Sequence, residues 1–134
     1  MYVRRLKTHC SNYLCLLPLV LTLEACNEPA ARLALDLFVA MLTRETGAAM
    51  AAIQGLDGIV FTAGIGEHSP EIRARTCASL GWAGVDIDEA RNLAASASAR
   101  KISTDQSRIS VWVIPTNEEI VIARDTWQCY QSTN

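Results

Sequence analysis

Two glycines, Gly64 and Gly66, stand just after a run of β-branched and aromatic residues, 59–61. Such residues favour a strand, and glycine lets the backbone take a positive φ or approach a ligand closely. Ser69 and Pro70 then have the order of a helix N-cap and a first helical residue. A strand, a glycine turn and a helix start leave free N–H groups at the positive end of a helix dipole, which attract anions such as phosphate.

The glycine spacing by itself is a weak signal. The third glycine of G-x-G-x-x-G is missing and no Lys-Ser or Lys-Thr pair follows, so neither the dinucleotide fingerprint nor the Walker A loop fits. An ordinary tight turn is the alternative that stays open at this point.

A second pattern near the end of the sequence, Thr116-Asn117-Glu118-Glu119, has the spacing of a capping box. In that arrangement Thr116 and Glu119 satisfy each other's backbone N–H groups, and Glu118 stays uncommitted. A carboxylate in the first turn of a helix remains ionised and suits an Mg²⁺ ligand, directly or through water. The alternative is that both glutamates only favour the helix start.

Two separate stretches of the chain together resemble the C-terminal part of the acetate kinase family. The first is Phe61-Thr62-Ala63-Gly64-Ile65-Gly66-Glu67 with Ser69-Pro70-Glu71-Ile72-Arg73. The second is Val113-Ile114-Pro115-Thr116-Asn117-Glu118-Glu119 with Ile122-Ala123-Arg124. Weaker similarity before and between them extends the resemblance over about residues 28–126. Two long motifs in the family's order rarely coincide by chance.

The resemblance implies an α/β fold, the C-terminal portion of an actin, Hsp70 and sugar kinase type (ribonuclease H-like) domain. Acetate kinases are chains several times longer than these 134 residues, with two domains and an active site between them. We therefore expect residues 27–134 to be the C-terminal part of domain II. A hydrophobic fraction of 50% agrees with a globular class.

The resemblance also implies the site residues. The family's nucleotide-binding loop is matched by Gly64, Ile65, Gly66, Glu67 and His68. His68 stands where asparagine is common; both side chains can donate a hydrogen bond to a nucleotide, and the alternative is a solvent-facing residue at the helix entry. Glu118 matches the family's magnesium ligand. Mg²⁺ is thus the implied cofactor, with ATP as the co-substrate.

The family transfers the γ-phosphoryl group of ATP to acetate, which gives ADP and acetyl phosphate. Its arginines, histidine and acyl pocket come from segments that do not match this sequence, so no catalytic residue is assigned. Because phosphoryl transfer depends on such groups, the chain alone is expected to be almost inactive, and acetate is a partner only if the missing domain is supplied. A module that binds nucleotide or a protein without turnover is the alternative. Acetate is preferred over propionate or butyrate only by default.

The first 26 residues fall outside the resemblance. Arg4, Arg5 and Lys7 precede an apolar run over residues 13–23, and Cys26 follows soon after. This order is typical of a signal peptide, and the run is too short to span a bilayer. The sequence thus predicts that residues 1–26 are an unrelated or signal-like leader. We favour a truncated or rearranged gene with a cytoplasmic product, and an exported, lipoprotein-like product is the alternative.

The net charge and the cysteines argue against nucleic-acid binding, a zinc site and a disulfide framework. The net charge of −2 gives no basic surface field, so nucleic acid is not an expected partner. The five cysteines are odd in number and show no C-x-x-C spacing, which predicts neither a zinc site nor a disulfide framework. The family resemblance implies ATP or ADP as a ligand and a homodimer.

The remaining patterns predict the elements around the turn. A helix from Asn27 to about Gln54 carries apolar residues at i+4 spacing over most of its circumference, and it would lose cover in a shortened domain. Gly81 is expected to end the helix after the turn in a left-handed conformation. Residues 86–89 have the spacing of a capping pair, and residues 109–114 predict a strand buried on both faces.

Two arginines follow the turn, Arg73 and Arg75. Both lie in the predicted helix after Pro70, away from its N-terminus. We expect them on the surface, paired with Glu71, and not in contact with phosphate.

Overall fold

The computed structural model describes residues 5–7, 17–26, 28–116 and 126–131. Four strands in these ranges form one sheet, β1 (Arg5–Lys7), β2 (Gly58–Phe61), β3 (Arg100–Lys101) and β4 (Ser110–Val113). The strand order is β1-β2-β4-β3, with β2 parallel to both neighbours and β3 antiparallel to β4. In an open α/β sheet, ligands bind beyond the carboxyl ends of such parallel strands. The glycine turn follows β2 at that position.

The described ranges also contain the helices α1 (Leu17–Glu24), α2 (Pro29–Ala52), α3 (Ala63–His68), α4 (Pro70–Ser79) and α5 (Glu89–Leu93). A 3-10 turn follows α4 at Gly81–Ala83, and residues 126–131 are also helical. Helix α2 packs against α1 and α4, and α4 also contacts α3 and α5. Among the helices that the structure describes, none is long and apolar enough to cross a membrane.

The buried side chains form two clusters. The larger one lies between the sheet and α4 and contains Ile59, Cys77, Leu80, Ala83, Val85, Ile102, Ile109, Val111 and Val113. The smaller one joins α1, α2, the glycine turn and α4 through Val20, Leu35, Val39, Ile65 and Ile72. The glycine turn therefore has its own apolar anchor, because Ile65 belongs to the second cluster.

Helix α2 is where the sequence predicted it, but it is covered on one side only. Its buried positions are Ala31, Leu35, Val39 and Thr46, which recur at helical spacing. Leu33, Leu37 and Met41 form an exposed stripe on another side. Helix α2 therefore presents an apolar stripe to solvent in the described part of the chain. The helix begins with Pro29 in its first turn; Asn27, where the sequence placed the start of the helix, lies outside the described residues.

Two predictions about helix ends were wrong. The left-handed glycine after α4 is Gly84, with φ 90°, because Gly81 starts the 3-10 turn that extends α4. The cap of α5 is Asp88, which accepts from the Arg91 N–H at 2.8 Å, and Asp86 instead accepts from the Thr104 hydroxyl.

One face of strand β4 is buried, and the other face is partly exposed to solvent. Val111 and Val113 are buried, whereas Trp112 is 37% exposed. The sequence predicted burial of both faces because both carry large apolar residues. In the described chain, the larger core covers only the face of the valines.

Candidate functional site

The glycine turn is a short, kinked helix, α3, and not an open loop. Ala63 has a left-handed φ of 57°, and Gly64 breaks the helical geometry with φ 5° and ψ −98°. A left-handed residue with a Cβ costs about 1–2 kcal/mol, so this strain falls on an alanine and not on a glycine. Gly66 lies beside the end of β2: a Cβ there would be 3.4 Å from the Phe61 carbonyl carbon, an ordinary van der Waals distance. The turn thus packs against the end of β2.

Glu67 connects the two sequence motifs. Its Oε1 accepts from the Ala63 N–H at 2.7 Å, which closes the turn on itself. The same oxygen accepts from the Thr116 N–H at 2.9 Å and from the Thr116 hydroxyl at 3.2 Å. Glu67 is among the residues matched to a nucleotide-binding loop, and in this structure one of its carboxylate oxygens holds the two motifs together.

His68 lies at the end of the turn and is exposed. Its Nδ1 is 2.9 Å from the Gly64 carbonyl oxygen, so the tautomer with a proton on Nδ1 donates there. Because Nδ1 is engaged within the turn, a ligand contact from His68 would use Nε2.

Ser69 joins the turn to α4, and its predicted role as an N-cap is confirmed. It is fully buried, and its Oγ accepts from the Ile72 N–H at 3.0 Å. Its own N–H donates to the Ile65 carbonyl at 3.0 Å. The Ser69 hydroxyl donates in turn to the carboxylate of Glu24, the last residue of α1.

Arg73 is 1% exposed and holds the turn to α5, so the prediction of a surface arginine was wrong. Its Nη1 donates to the carbonyls of Gly66 and Glu67, both at 2.9 Å. Its Nε and Nη2 donate to the side-chain and backbone oxygens of Asn92, both at 2.8 Å. The reason is the helix face: Arg73 lies four residues before buried Cys77.

Arg75 behaves as the sequence predicted. It pairs with Glu71 at 3.5 Å and also with Asp36 of α2. Of the two arginines, only Arg75 makes the surface pair. The spacing to Cys77 is the signal that could have identified Arg73 as the inward-facing one.

The buried guanidinium makes this side of the turn electropositive. The four hydrogen-bond acceptors of Arg73 given above are all neutral oxygens of backbone or amide groups. Burial, followed by the nearby charge of Arg100, lowers the pKa of Arg73 to about 10, which leaves it cationic at neutral pH. The Nε of Arg100 is itself buried without a hydrogen-bond partner in the structure.

An open cleft of about 500 Å³ lies on this side of the turn. It is lined by Arg73 and Arg100, by Glu67 and His68 of the turn, by Pro115 of the second motif, and by Pro70 and residues 93–97. The structure therefore brings the predicted loop residues Glu67 and His68 together with two cations that were not predicted as site residues. Such a cleft suits an anionic ligand.

The predicted magnesium ligand Glu118 lies outside the described residues, as do Asn117 and Glu119. Within the described ranges, no group of three or more histidine, cysteine, aspartate or glutamate side chains could hold a metal ion. The magnesium site and the capping box therefore stay predictions.

Comparison with known proteins agrees with these features. The model of the acetokinase family matches residues 1–124. The acetate kinase of Solibacter usitatus is 48% identical over 98 residues, which are 73% of this chain and 24% of that protein. The acetate kinase of Nitrobacter hamburgensis is 52% identical over 104 residues, 78% of this chain and 25% of that protein. The chain spans about a quarter of the length of the curated relatives it matches.

Solved structures show the same relationship. The acetate kinase of Porphyromonas gingivalis matches 84% of this chain and 28% of its own, with a TM-score of 0.70 and 30% identity. A propionate kinase from Francisella tularensis matches 80% of this chain and 27% of its own, with a TM-score of 0.66 and 34% identity. The predicted α/β fold class is thus confirmed for a part of the kinase fold. Fold, motifs and the match to the family model lead to one conclusion: the chain belongs to the acetokinase family.

Proposed function

We propose that this chain is a nucleotide-binding part of an acetate kinase, whose complete form converts ATP and acetate to ADP and acetyl phosphate. The observation that supports this most is the cleft beside the glycine turn. Two cations, Arg73 and Arg100, line it together with Glu67 and His68. A nucleoside triphosphate is an anion, and a cleft lined by two guanidinium groups raises its local concentration.

The groups of this chain would bind and orient the nucleotide. Glu67 and His68 of the turn line the cleft, and His68 offers Nε2 because its Nδ1 is engaged with Gly64. Arg100 offers a guanidinium whose Nε is buried and unpartnered in the structure. Phosphoryl transfer depends mainly on such positioning and on positive charge around the phosphates.

Magnesium enters this proposal through Glu118. Mg²⁺ is usually bound by one or two carboxylates together with phosphate oxygens and water. A single carboxylate from the second motif fits that pattern, and Glu67 holds the start of this motif against the turn. Bound Mg²⁺ supplies charge neutralisation on the phosphates.

Several parts of the proposal concern the complete protein. Acetate as the acceptor, a homodimer and a cytoplasmic location are what the family implies. We propose that residues 27–134 belong to domain II and that acetate binds only when the rest of the kinase is present. The 134-residue chain is then expected to hold nucleotide without turning it over.

Calorimetry of Mg²⁺-ATP binding to the 134-residue chain tests the proposal, with an acetyl phosphate assay on the same sample. We expect saturable binding without turnover. Arg100→Met should weaken binding by about five- to tenfold, because one charge contact is worth about 1 kcal/mol. Arg44→Met is the matched control, since Arg44 pairs with Glu45 on the exposed face of α2. A chain that unfolds cooperatively but binds no Mg²⁺-ATP would contradict the proposal.

A further inference from the structure

Glu24 and Ser69 are 45 residues apart in the sequence and share a hydrogen bond in the structure. Glu24 is the last residue of α1, and Ser69 is the fully buried residue that joins the glycine turn to α4. Residues 1–26 were predicted to be a leader, so the sequence assigned no site role to Glu24. Its position raises the question of what this carboxylate does at the turn.

The chemistry of a buried serine hydroxyl gives the answer. Such a hydroxyl has one proton to donate and two lone pairs to accept with. One lone pair of Ser69 accepts from the Ile72 N–H, which caps α4. The proton then needs an acceptor, because a buried polar group without a partner costs about 1–3 kcal/mol. The Glu24 carboxylate is that acceptor, and it fixes the rotation of the hydroxyl.

The backbone of Ser69 is hydrogen-bonded to the turn and to α4, so a fixed Ser69 also fixes the turn. Its backbone N–H donates to the Ile65 carbonyl inside α3, and its carbonyl accepts from the Arg73 N–H. Arg73 in turn donates to the carbonyls of Gly66 and Glu67. The position of Ser69 thus determines how the turn meets α4.

Helix α1 is itself fixed by packing. Val20 is 4% exposed and lies in one apolar cluster with Ile65 of the turn and Ile72 of α4. One turn further along α1, Glu24 reaches Ser69. Helix α1 therefore contacts the junction of α3 and α4 twice, through the apolar side chain of Val20 and through the carboxylate of Glu24.

Electrostatics agrees with this placement. A carboxylate near the N-terminus of a helix is stabilised by the helix dipole. The charge of Glu24 also acts on Arg73 and raises its pKa, opposing the effect of burial. Glu24 thus partly compensates the buried guanidinium.

We propose that Glu24 is a positioning residue for the nucleotide turn, which acts through the Ser69 hydroxyl. It does not touch the ligand. It holds the junction of α3 and α4 so that Glu67 and His68 keep their places at the cleft. The nucleotide part of this inference rests on the proposed function, whereas the positioning part does not.

Amide hydrogen exchange in the 134-residue chain tests the positioning part without any nucleotide. Glu24→Ala should speed exchange of the Ile72 and Ser69 amides on the order of tenfold, while the Val111 amide of the core stays unchanged. Glu24→Gln keeps an oxygen acceptor and should stay within about threefold of the parent. Glu24→Leu keeps the bulk but not the acceptor and should behave like Glu24→Ala. Glu28→Ala, an exposed glutamate four residues further on, is the matched control.

A double-mutant cycle with Ser69→Ala adds a second measurement. If Glu24 acts through the hydroxyl, Glu24→Ala has little further effect on local exchange in the Ser69→Ala background. Additive effects would overturn the inference. So would equal behaviour of the glutamine and leucine variants, because packing alone would then explain the role of Glu24.

The nucleotide part is read from calorimetry of Mg²⁺-ATP on the same variants. Weaker binding of about three- to tenfold in Glu24→Ala, restored in Glu24→Gln, is the expected result. If the parent chain binds no Mg²⁺-ATP, the proposed function fails, and the exchange data still decide the role of Glu24. If the parent binds and both variants bind equally well, the positioning of the nucleotide turn by Glu24 is wrong.

Discussion

Glu67 and Thr116 meet through one carboxylate oxygen, which accepts both the backbone N–H and the hydroxyl of Thr116. The two residues belong to motifs that are 49 positions apart in the chain. The contact sets where the chain runs after β4, and therefore where the second motif begins. Glu67, which the family resemblance matches to a nucleotide-binding loop, thus also has a structural role.

Replacing Glu67 should lower the free energy of unfolding, and the loss should depend on how many hydrogen bonds the new side chain can accept. Glu67→Ala leaves the Ala63 N–H without its acceptor, and we expect a loss of about 1–3 kcal/mol in unfolding free energy. Glu67→Gln keeps one neutral acceptor oxygen and should lose less than half of that. Urea denaturation measures both. Glu71→Ala, on the exposed face of α4, is the control and should change stability by less than about 1 kcal/mol.

The buried Arg73 should not tolerate lysine. Lysine has a single ammonium group and cannot reach the turn carbonyls and Asn92 together, so Arg73→Lys is expected to cost about 2–4 kcal/mol. Arg75→Lys, which keeps a surface pair, should stay within about 0.5 kcal/mol. Denaturant midpoints of the two variants give the comparison. Equal losses of stability in the two variants would mean that the four hydrogen bonds from Arg73 contribute little to the free energy of unfolding.

Cys77 is expected to be chemically inert in the folded chain. Burial raises the pKa of its thiol to about 12, against a weaker opposite effect of Arg73. Because the thiolate is the reactive form, iodoacetamide at pH 8 should label exposed Cys129 and leave Cys77 unmodified, as read by peptide mass mapping. Rapid labelling of Cys77 below the denaturation midpoint would contradict this burial.

The same thiol makes stability depend on pH. The pKa of the thiol in the folded chain lies above its ordinary value of 9.0, so the unfolded chain ionises first as the pH rises. Stability that is complete below pH 9 should therefore fall by about 1–2 kcal/mol by pH 10.5. The difference in unfolding free energy between pH 8 and pH 10.5 should be smaller by that amount in Cys77→Ala.

The leader predicted for residues 1–26 stays a prediction, and the structure makes it testable. Strand β1 pairs with β2 over three residues, and Val20 and Glu24 of α1 contact the turn and α4. A chain that starts at Asn27 loses all three, so its unfolding free energy should fall by several kcal/mol. The intact mass of the protein made in cells then shows whether cleavage near Cys26 occurs. Equal stability of both chains would mean that the segment is dispensable.

Local rules of the sequence correctly predicted the elements around the turn. The β-branched residues before the glycines form β2, and Ser69 caps α4 with Pro70 in its first turn. These features depend on neighbours within a few residues, where propensity and capping act directly. The position of the candidate site beyond β2 follows from the same rules.

Contacts over long distances in the sequence could not be predicted in this way. Nothing near Glu67 indicates that its carboxylate meets Thr116, and nothing near Glu24 indicates Ser69. The spacing of Arg73 to Cys77 indicates an inward side chain, but it does not indicate that the partners are Asn92 of α5 and the carbonyls of the turn. The left-handed backbone falls on Ala63, and no local rule assigns a positive φ to an alanine that stands beside a glycine.

The pairing of β2 with β4 has a consequence for how the protein is made. Gly58 pairs with Ser110, so the central strand waits for a partner that the ribosome adds about fifty residues later, roughly 3–10 s at ordinary rates of synthesis. Until then the backbone groups of β2 that bond to β4 are unpaired, its apolar side chains are uncovered by β4, and Thr116 has not yet reached Glu67. A nascent chain therefore completes the contacts of its glycine turn late, and chaperones that bind exposed apolar strands are most needed in that interval.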